Sequence, residues 1–284
     1  MDEVILINKP KGYTSRDIVN IVSKTLNTKK VGHFGTLDPL AEGLLIIGVN
    51  NYTKLGNLLE NDTKEYIAEV LVGTSTDTYD TTGTVINKTE DFHLSKDLIN
   101  KTLNKFKKTY LQEVPIYSAT KVKGKRLYEY AREGKEVLLP KKEVKIYNIE
   151  LIDFFERKNK TYFAFKCKVS KGTYIRSLIN DISKELDIPL CMSNLIRTKQ
   201  DKFDLKDANT LEDIKNKTYK SLNIREVLDI DVEEIPLKLE KKILNGNKIE
   251  RQKSKYILFT KNGEDIVLYG NSSEEMKPIL TFKK

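Results

Sequence analysis

The sequence predicts an α+β fold with a small β-rich module at its C-terminal end, on three observations. Strand-like and helix-like patterns are mixed without the strict alternation of a doubly wound sheet. The 284 residues are enough for a sizeable buried core. From about residue 230 the chain breaks into short β-like pieces, after a polar and acidic stretch over 215–235.

Each element has its own reason. Residues 4–7 are a short apolar run before the turn residues NKPKGYTS, the pattern of a strand feeding a loop. Thr14 or Ser15 then caps a helix that carries Ile18, Val19, Ile21, Val22 and Leu26 on one face. The stretch GHFGTLDPLAEGLLIIG, residues 32–48, opens as a glycine-punctuated loop and continues into a second apolar strand over 44–49. Over 64–73 the pattern alternates, with Tyr66, Ala68, Val70 and Val72 on one face of a half-buried strand. Ser95 opens a helix with Leu98, Ile99, Leu103 and Phe106 turned inward, and residues 114–140 are loop-rich and basic. Long strand patterns at 144–155 and 162–169 lead to KGTYIRSLINDISKEL, whose later part has helical spacing. YILFTKNGEDIVLYG reads as a hairpin turning at 261–264. A boundary near residue 230 therefore divides the chain into expected domains at 1–230 and 231–284.

Composition excludes several classes of function. With 50 Lys and Arg against 41 Asp and Glu, the net charge of +9 suits a polyanionic partner, although a solvated lysine-rich surface gives the same count. Cys167 and Cys191 are too few for a disulfide framework, and with two histidines too few for a structural zinc site, so both are expected to be reduced. The opening MDEVILINKPKG lacks the basic start and long apolar stretch of a signal peptide, and no apolar run approaches the ~20 residues of a membrane span. A cytoplasmic protein without membrane contact is expected. No GxxxxGK[ST], GxGxxG, HExxH or paired CxxC occurs, so a metal site, a nucleotide cofactor and phosphoryl transfer are all unsupported. DTTG at 80–83 reads as a turn built by Asx and Ser/Thr hydrogen bonds.

The segment around His33 and Asp38 remains. Pro39 restricts the residue before it, so Asp38 is held extended on a stiff turn, where its carboxylate can serve as nucleophile, base or helix cap. Taken locally, the cap is the ordinary reading of Asp38, and a loop histidine with a satisfied ring that of His33.

The wider pattern changes this weighting. Gly32, His33, Gly35, Thr36, Leu37, Asp38, Pro39, Ala41, Gly43 and Leu44 form GHxGTLDPxAxGxL, which resembles the catalytic loop of bacterial tRNA pseudouridine-55 synthases. KPKGYTS at 9–15, Lys64-Glu65-Tyr66 with TDTYDTTG at 76–83, PIYSATKVKGKRLYEYAREG at 115–134 and KGTYIRSL at 171–178 resemble that family's other motifs, in the same order. Two positions depart: Val114 stands where the family has a proline, and LIRT at 195–198 replaces LRRT, so that Ile196 removes a potential phosphate contact.

The resemblance implies a mixed, largely antiparallel central sheet with flanking helices, an RNA-binding insertion at about 114–140 and a short PUA-like RNA-binding module at the C-terminal end. It implies isomerisation of uridine 55 in the T loop of tRNA to pseudouridine, by base flipping and without cofactor or metal. Asp38 is then the essential acid, Arg176 its paired cation, and Tyr66 the residue against the uracil ring, with its hydroxyl near carbon 5. Tyr174 and Leu195 line the uracil pocket, and His33 handles the gap left by the flipped base. The expected partner is the T arm of tRNA, bound by a monomer that needs no protein partner. Two alternatives keep the scaffold: a non-catalytic RNA-binding or RNA-folding protein, and a pseudouridine synthase with another RNA target. Asp38 together with Arg176 separates the first from an enzyme, since a pure binder needs no acid beside phosphate.

Overall fold

In the computed structural model, which describes residues 2–59, 63–272 and 274–282, the chain begins with β1 (Glu3–Lys9), α1 (Ser15–Thr25), β2 (Val31–His33) and β3 (Glu42–Val49). β1 and β3 run antiparallel, from Glu3 opposite Val49 to Lys9 opposite Gly43. Val4, Leu6, Leu44 and Ile46 pack with Tyr256, Leu258 and Leu268 from the C-terminal part of the chain. Ile5, Ile7, Leu45 and Ile47 pack with Ile18, Val19 and Val22 of α1. Strands covered on both faces have no polar side to present, which is why both read as continuous apolar runs. Thr14 is the cap of α1, accepting from Asp17 N and reciprocated by the Asp17 side chain. Ile21 and Leu26 lie partly buried at the edge of the cluster.

β4 (Lys64–Val72) alternates as its pattern requires, with Tyr66, Ala68 and Val70 buried. It is followed by the hairpin β5 (Thr74–Thr76) and β6 (Val85–Lys88), then α2 (Lys96–Lys105) and β7 (Thr109–Glu113). Ser95 caps α2 as expected, and Ile99, Leu103 and Phe106 turn inward. Leu98 does not, being 40% exposed. Residues 99, 103 and 106 follow the three-to-four spacing of one helix face, and position 98 lies about 100° round from it.

Residues 114–140 are more ordered than a basic loop. They contain the paired β8 (Lys121–Val122) and β9 (Lys125–Arg126) and the short α3 (Leu127–Arg132), anchored by the fully buried Leu127. Val114 N donates to Pro140 O at 3.0 Å and closes the base of the segment. A proline at 114 could not supply that N–H.

β10 (Lys141–Arg157) and β11 (Lys160–Val169) form a hairpin longer than the apolar pattern indicates, turning through Lys158 and Asn159 at φ of 52° and 57°. α4 (Ile175–Leu186), β12 (Leu190–Gln200), β13 (Phe203–Asp204), α5 (Leu211–Asn216), β14 (Ser221–Leu222) and α6 (Ile224–Val227) follow. The large sheet is ordered β14-β1-β3-β12-β4-β11-β10-β7, with β2 added to β3 and β13 to β12. β12 runs parallel to β3 and antiparallel to β4, so the sheet is mixed and largely antiparallel, as expected.

β15 (Asp231–Glu234), α7 (Glu240–Leu244), β16 (Ile249–Glu250), β17 (Tyr256–Lys261), β18 (Glu264–Asn271) and β19 (Glu275–Thr281) complete the chain. Their sheet is ordered β15-β17-β18-β19-β16. The expected hairpin is β17–β18, and its turn places Asn262 and Gly263 at φ of 52° and 76°, the left-handed pair that an Asn-Gly turn accommodates. Of the closing KPILTFKK, Lys283 and Lys284 lie outside the described residues. No helix among the described residues is long and apolar enough to cross a membrane.

Candidate active site

Residues 34–41 join β2 to β3 where β12 comes alongside, with Arg197 opposite Gly43. β2 itself was not predicted, because its three residues sit inside what reads as a glycine-rich loop. Asp38, Pro39, Leu40 and Ala41 close a reverse turn, Ala41 N donating to Asp38 O at 3.1 Å. A strand follows this turn, so Asp38 caps no helix. Its side chain is 37% exposed, which leaves the carboxylate accessible rather than buried.

Gly43 shows why the loop must end as it does. Its φ is +102°, and a Cβ there would press into the carbonyl of Arg197 and lie 2.9 Å from the Arg197 nitrogen. Gly43→Ala is therefore expected to destabilise the fold by roughly 3 kcal/mol, from left-handed backbone strain plus overpacking. A urea midpoint unchanged from the parent would contradict this.

Arg176 lies in the first turn of α4 and is 6% exposed. Its Nε stands 2.9 Å from Asp38 Oδ2. Nη1 donates to Thr78 O at 3.2 Å and Nη2 to Tyr117 O at 3.0 Å. Asp80 Oδ2 lies 3.9 Å from Nη1. The other Asp80 oxygen accepts from Thr78 Oγ1 at 2.8 Å, Thr82 N at 2.9 Å and Thr82 Oγ1 at 2.5 Å. The DTTG turn is thus built by Asx and Thr hydrogen bonds, as the sequence indicates. It also aims a buried carboxylate at Arg176, which a turn motif by itself does not reveal. A guanidinium taken out of water is tolerated only with such partners, and its planar fork reaches several acceptors at once.

Asp38 and Arg176 border a cavity of about 260 Å³ that is also lined by Lys64, Tyr66, Ser118, Tyr174 and Leu195. That is smaller than the ~300–1,000 Å³ of sites for drug-sized ligands and suits one small ring. Tyr66 is 6% exposed on β4, opposite Arg197 of β12 and Cys167 of β11. Burial pushes its phenol up, against the pull of the Arg197 guanidinium, so it is a neutral hydroxyl at pH 7. Leu195 is 5% exposed. Tyr174 is only half-buried and stands at the N-terminal boundary of α4, where its side chain makes no capping hydrogen bond. Its hydroxyl pairs with Thr120 Oγ1 at 3.0 Å, and its N–H donates to Gln112 Oε1 at 2.8 Å.

His33 does not border this cavity. It lines an adjoining one of about 220 Å³ with Phe34, Thr53 and Asn57, and Gly35 and Lys64 are common to both. Its buried Nδ1 has no hydrogen-bond partner among the described residues. Burial, with Arg16 and Arg197 nearby, lowers its pKa, so the ring is neutral at pH 7. His33 is therefore close to Asp38 in sequence but not its partner.

Several residues that support the site were not singled out by sequence reasoning. Arg197 is fully buried and donates from Nε to Leu44 O at 2.7 Å, from Nη1 to Thr36 O at 3.4 Å and from Nη2 to Gly35 O at 3.2 Å. Gln200 Nε2 donates to Phe34 O at 2.5 Å. Arg197 falls within the LIRT stretch at 195–198, and only nearness to that stretch could have pointed to Gln200. Ile196, between Leu195 and Arg197, lies opposite Ile67 and points by strand alternation to the face away from the cavity. The lost potential phosphate contact at 196 is thus not in this cavity.

Lys9 is fully buried, its ammonium donating to Tyr13 O at 2.7 Å and Pro10 O at 3.0 Å. Burial brings it down to about 8, against the attraction of Asp38 and Glu42. Between that value and the ordinary 10.5 the unfolded chain binds more protons than the folded one, so stability from this group rises with pH across the window. Lys9→Met is expected to flatten that rise when urea unfolding is compared at about pH 7 and about pH 9.5. An equal slope in both proteins would contradict the assignment.

Among the described residues no group of three His, Cys, Asp or Glu side chains could hold a metal ion.

The architecture has solved counterparts. An H/ACA ribonucleoprotein bound to a substrate RNA containing 2'-deoxyuridine superposes with a TM-score of 0.68 at 20% identity, covering 99% of this chain and 85% of that one. A Cbf5-Nop10-Gar1 complex superposes with a TM-score of 0.68 at 21% identity, covering 99% and 84%. At that identity the likeness is one of fold. The description "TruB family pseudouridylate synthase (N terminal domain)" matches residues 23–175. The tRNA pseudouridine synthase B of Caldanaerobacter subterraneus subsp. tengcongensis is 40% identical over 246 residues, 87% of this chain and 85% of that protein. The protein of the same name from Mesoplasma florum is 38% identical over 261 residues, 91% and 89% respectively. The chain belongs to the TruB family of pseudouridylate synthases.

Proposed function

We propose that this chain isomerises uridine 55 in the T loop of tRNA to pseudouridine. The observation that carries the reading is the 2.9 Å pair of Asp38 and Arg176 at the edge of a cavity sized for one base and walled by Tyr66 and Leu195. The reaction breaks the bond from ribose C1' to uracil N1 and forms one from C1' to C5. The C5 proton leaves and N1 gains one, so no atom or electron enters from outside and no cofactor is required.

Asp38 acts as nucleophile or base, and Arg176 holds its carboxylate in place and offsets the like charge of the incoming phosphates. Tyr66 packs on the everted ring with its hydroxyl towards C5. Stacking on an aromatic contributes ~1–3 kcal/mol per base, comparable to the few kcal/mol needed to evert a nucleotide. Tyr174 and Leu195 complete the pocket. His33, neutral and in the adjoining cavity, occupies the place the base has left.

The protein acts in this reading as a cytoplasmic monomer, with residues 1–230 catalytic and 231–284 a short PUA-like RNA-binding domain. The 114–140 insertion grips the T arm. Its Lys125 lies 5.1 Å from the Tyr130 ring, and Arg132 5.3 Å from that of Tyr128, pairings that present cations and flat rings together. The test is incubation with an unmodified tRNA transcript, followed by carbodiimide-dependent primer extension. A stop at the T-loop uridine is expected. Binding without any stop would favour an RNA-folding protein, and a stop elsewhere a different target.

A further inference from the structure

The loop bearing Asp38 is gripped from the N-terminal side as well as by Arg197. Ser15, 3% exposed, uses its one hydroxyl twice on the same residue: Oγ accepts from Leu37 N at 2.9 Å and donates to Leu37 O at 3.1 Å. Gly12 N donates to Pro39 O at 2.8 Å. The KPKGYTS turn therefore holds the residues on either side of Asp38, and Lys9, bonded to the carbonyls of Pro10 and Tyr13, keeps that turn folded.

Helix stability does not account for the Ser15 contacts. The cap of α1 is Thr14, whose Oγ1 accepts from Asp17 N at 3.0 Å, and Ser15 is the first helical residue behind it. Its hydroxyl points instead across 22 positions of sequence to the peptide groups flanking the Leu37 side chain. Fixing both ends of residue 37 limits the rotation that would swing the next side chain off Arg176. A buried hydroxyl with its donor and acceptor both used is stiff, because releasing it leaves polar groups of the loop without partners.

We propose that Ser15 is a positioning residue for Asp38, holding the carboxylate against Arg176 at the orientation the reaction needs. This rests on the function proposed above. Ser15 touches no substrate; it acts through the backbone of Leu37.

The experiment compares Ser15→Ala, Ser15→Cys and Thr14→Ala with the unsubstituted protein. It measures single-turnover pseudouridine formation on a tRNA transcript, tRNA affinity and thermal melting. Ser15→Ala is expected to slow the single turnover on the order of 10²-fold, as misplacement of a reacting group by about 1 Å does, with tRNA affinity within about threefold. Ser15→Cys keeps the side-chain shape with a larger, more weakly hydrogen-bonding atom, and is expected to fall between Ser15→Ala and the parent. It carries the test if the alanine variant does not fold. Thr14→Ala removes the helix cap without touching Leu37, so it is expected to lower the melting temperature and leave the rate within about twofold. Ser15 variants as fast as the parent, or a Thr14→Ala rate that falls as far as that of Ser15→Ala, would overturn this inference alone. An unsubstituted protein that forms no pseudouridine would overturn the functional reading and this inference with it.

Discussion

Asp38→Asn is expected to reduce pseudouridine formation by at least about 10³-fold while leaving tRNA affinity within a few-fold. Asparagine matches aspartate in shape and can still accept from Arg176 Nε, so the 2.9 Å contact and the reverse turn into β3 survive. What is lost is the charge, and with it the ability to attack carbon or take a proton. In the proposed function binding rests chiefly on the basic insertion and on the Tyr66 and Leu195 walls of the cavity, which the substitution leaves in place. Single-turnover assays and filter binding on the same preparation separate the two quantities. An Asp38→Asn protein that turns over like the parent would remove Asp38 from the reaction. One that loses binding and turnover together would make its role structural.

Arg176→Lys is expected to lower both stability and rate, because the two cations differ in geometry rather than charge. The guanidinium reaches Asp38, Thr78 O and Tyr117 O and faces Asp80, whereas an ammonium on a flexible stem cannot span those positions together. A single ammonium cannot reach both Tyr117 O and Thr78 O, and the 4%-exposed Asp80 faces a cation that is no longer fixed in place. Breaking a buried pair in this way costs roughly 3 kcal/mol, to be read as a lower urea midpoint. Turnover should fall by at least about 10²-fold, because Asp38 is then no longer held by a fixed fork. Equal turnover by Arg176→Lys would mean that only a nearby positive charge is needed. Retained stability would mean that Asp80 and the two carbonyls are satisfied by other groups.

Much of this arrangement is legible in the chain. The continuous apolar runs of β1 and β3, the alternation of β4 and the Asn-Gly hairpin of β17 and β18 follow from which faces are covered and which turn the backbone needs. Asp38 and Arg176 stand out through motif resemblance, and the fold brings them together. Leu98 and the 114–140 segment depart from their sequence patterns for local reasons. The first lies one position off a helical stripe, and the second hides a buried Leu127 among lysines.

What the sequence determined by itself is local: element type, the cap at Thr14 or its neighbour, the stiff Asp-Pro turn, and the chemical character of a basic protein with no cofactor motif. What only the tertiary structure decided is which charges meet. Asp80 looks like an ordinary turn residue until β12 and α4 pack against it, and the burial of Arg197 beneath the loop bearing Asp38 follows from the parallel pairing of β12 with β3. His33 stands five residues from Asp38 in sequence, and backbone geometry sends it to a neighbouring cavity. Ion pairs and hydrogen bonds between distant segments depend on chain topology and burial, and neither is written in the spacing of residues along one strand.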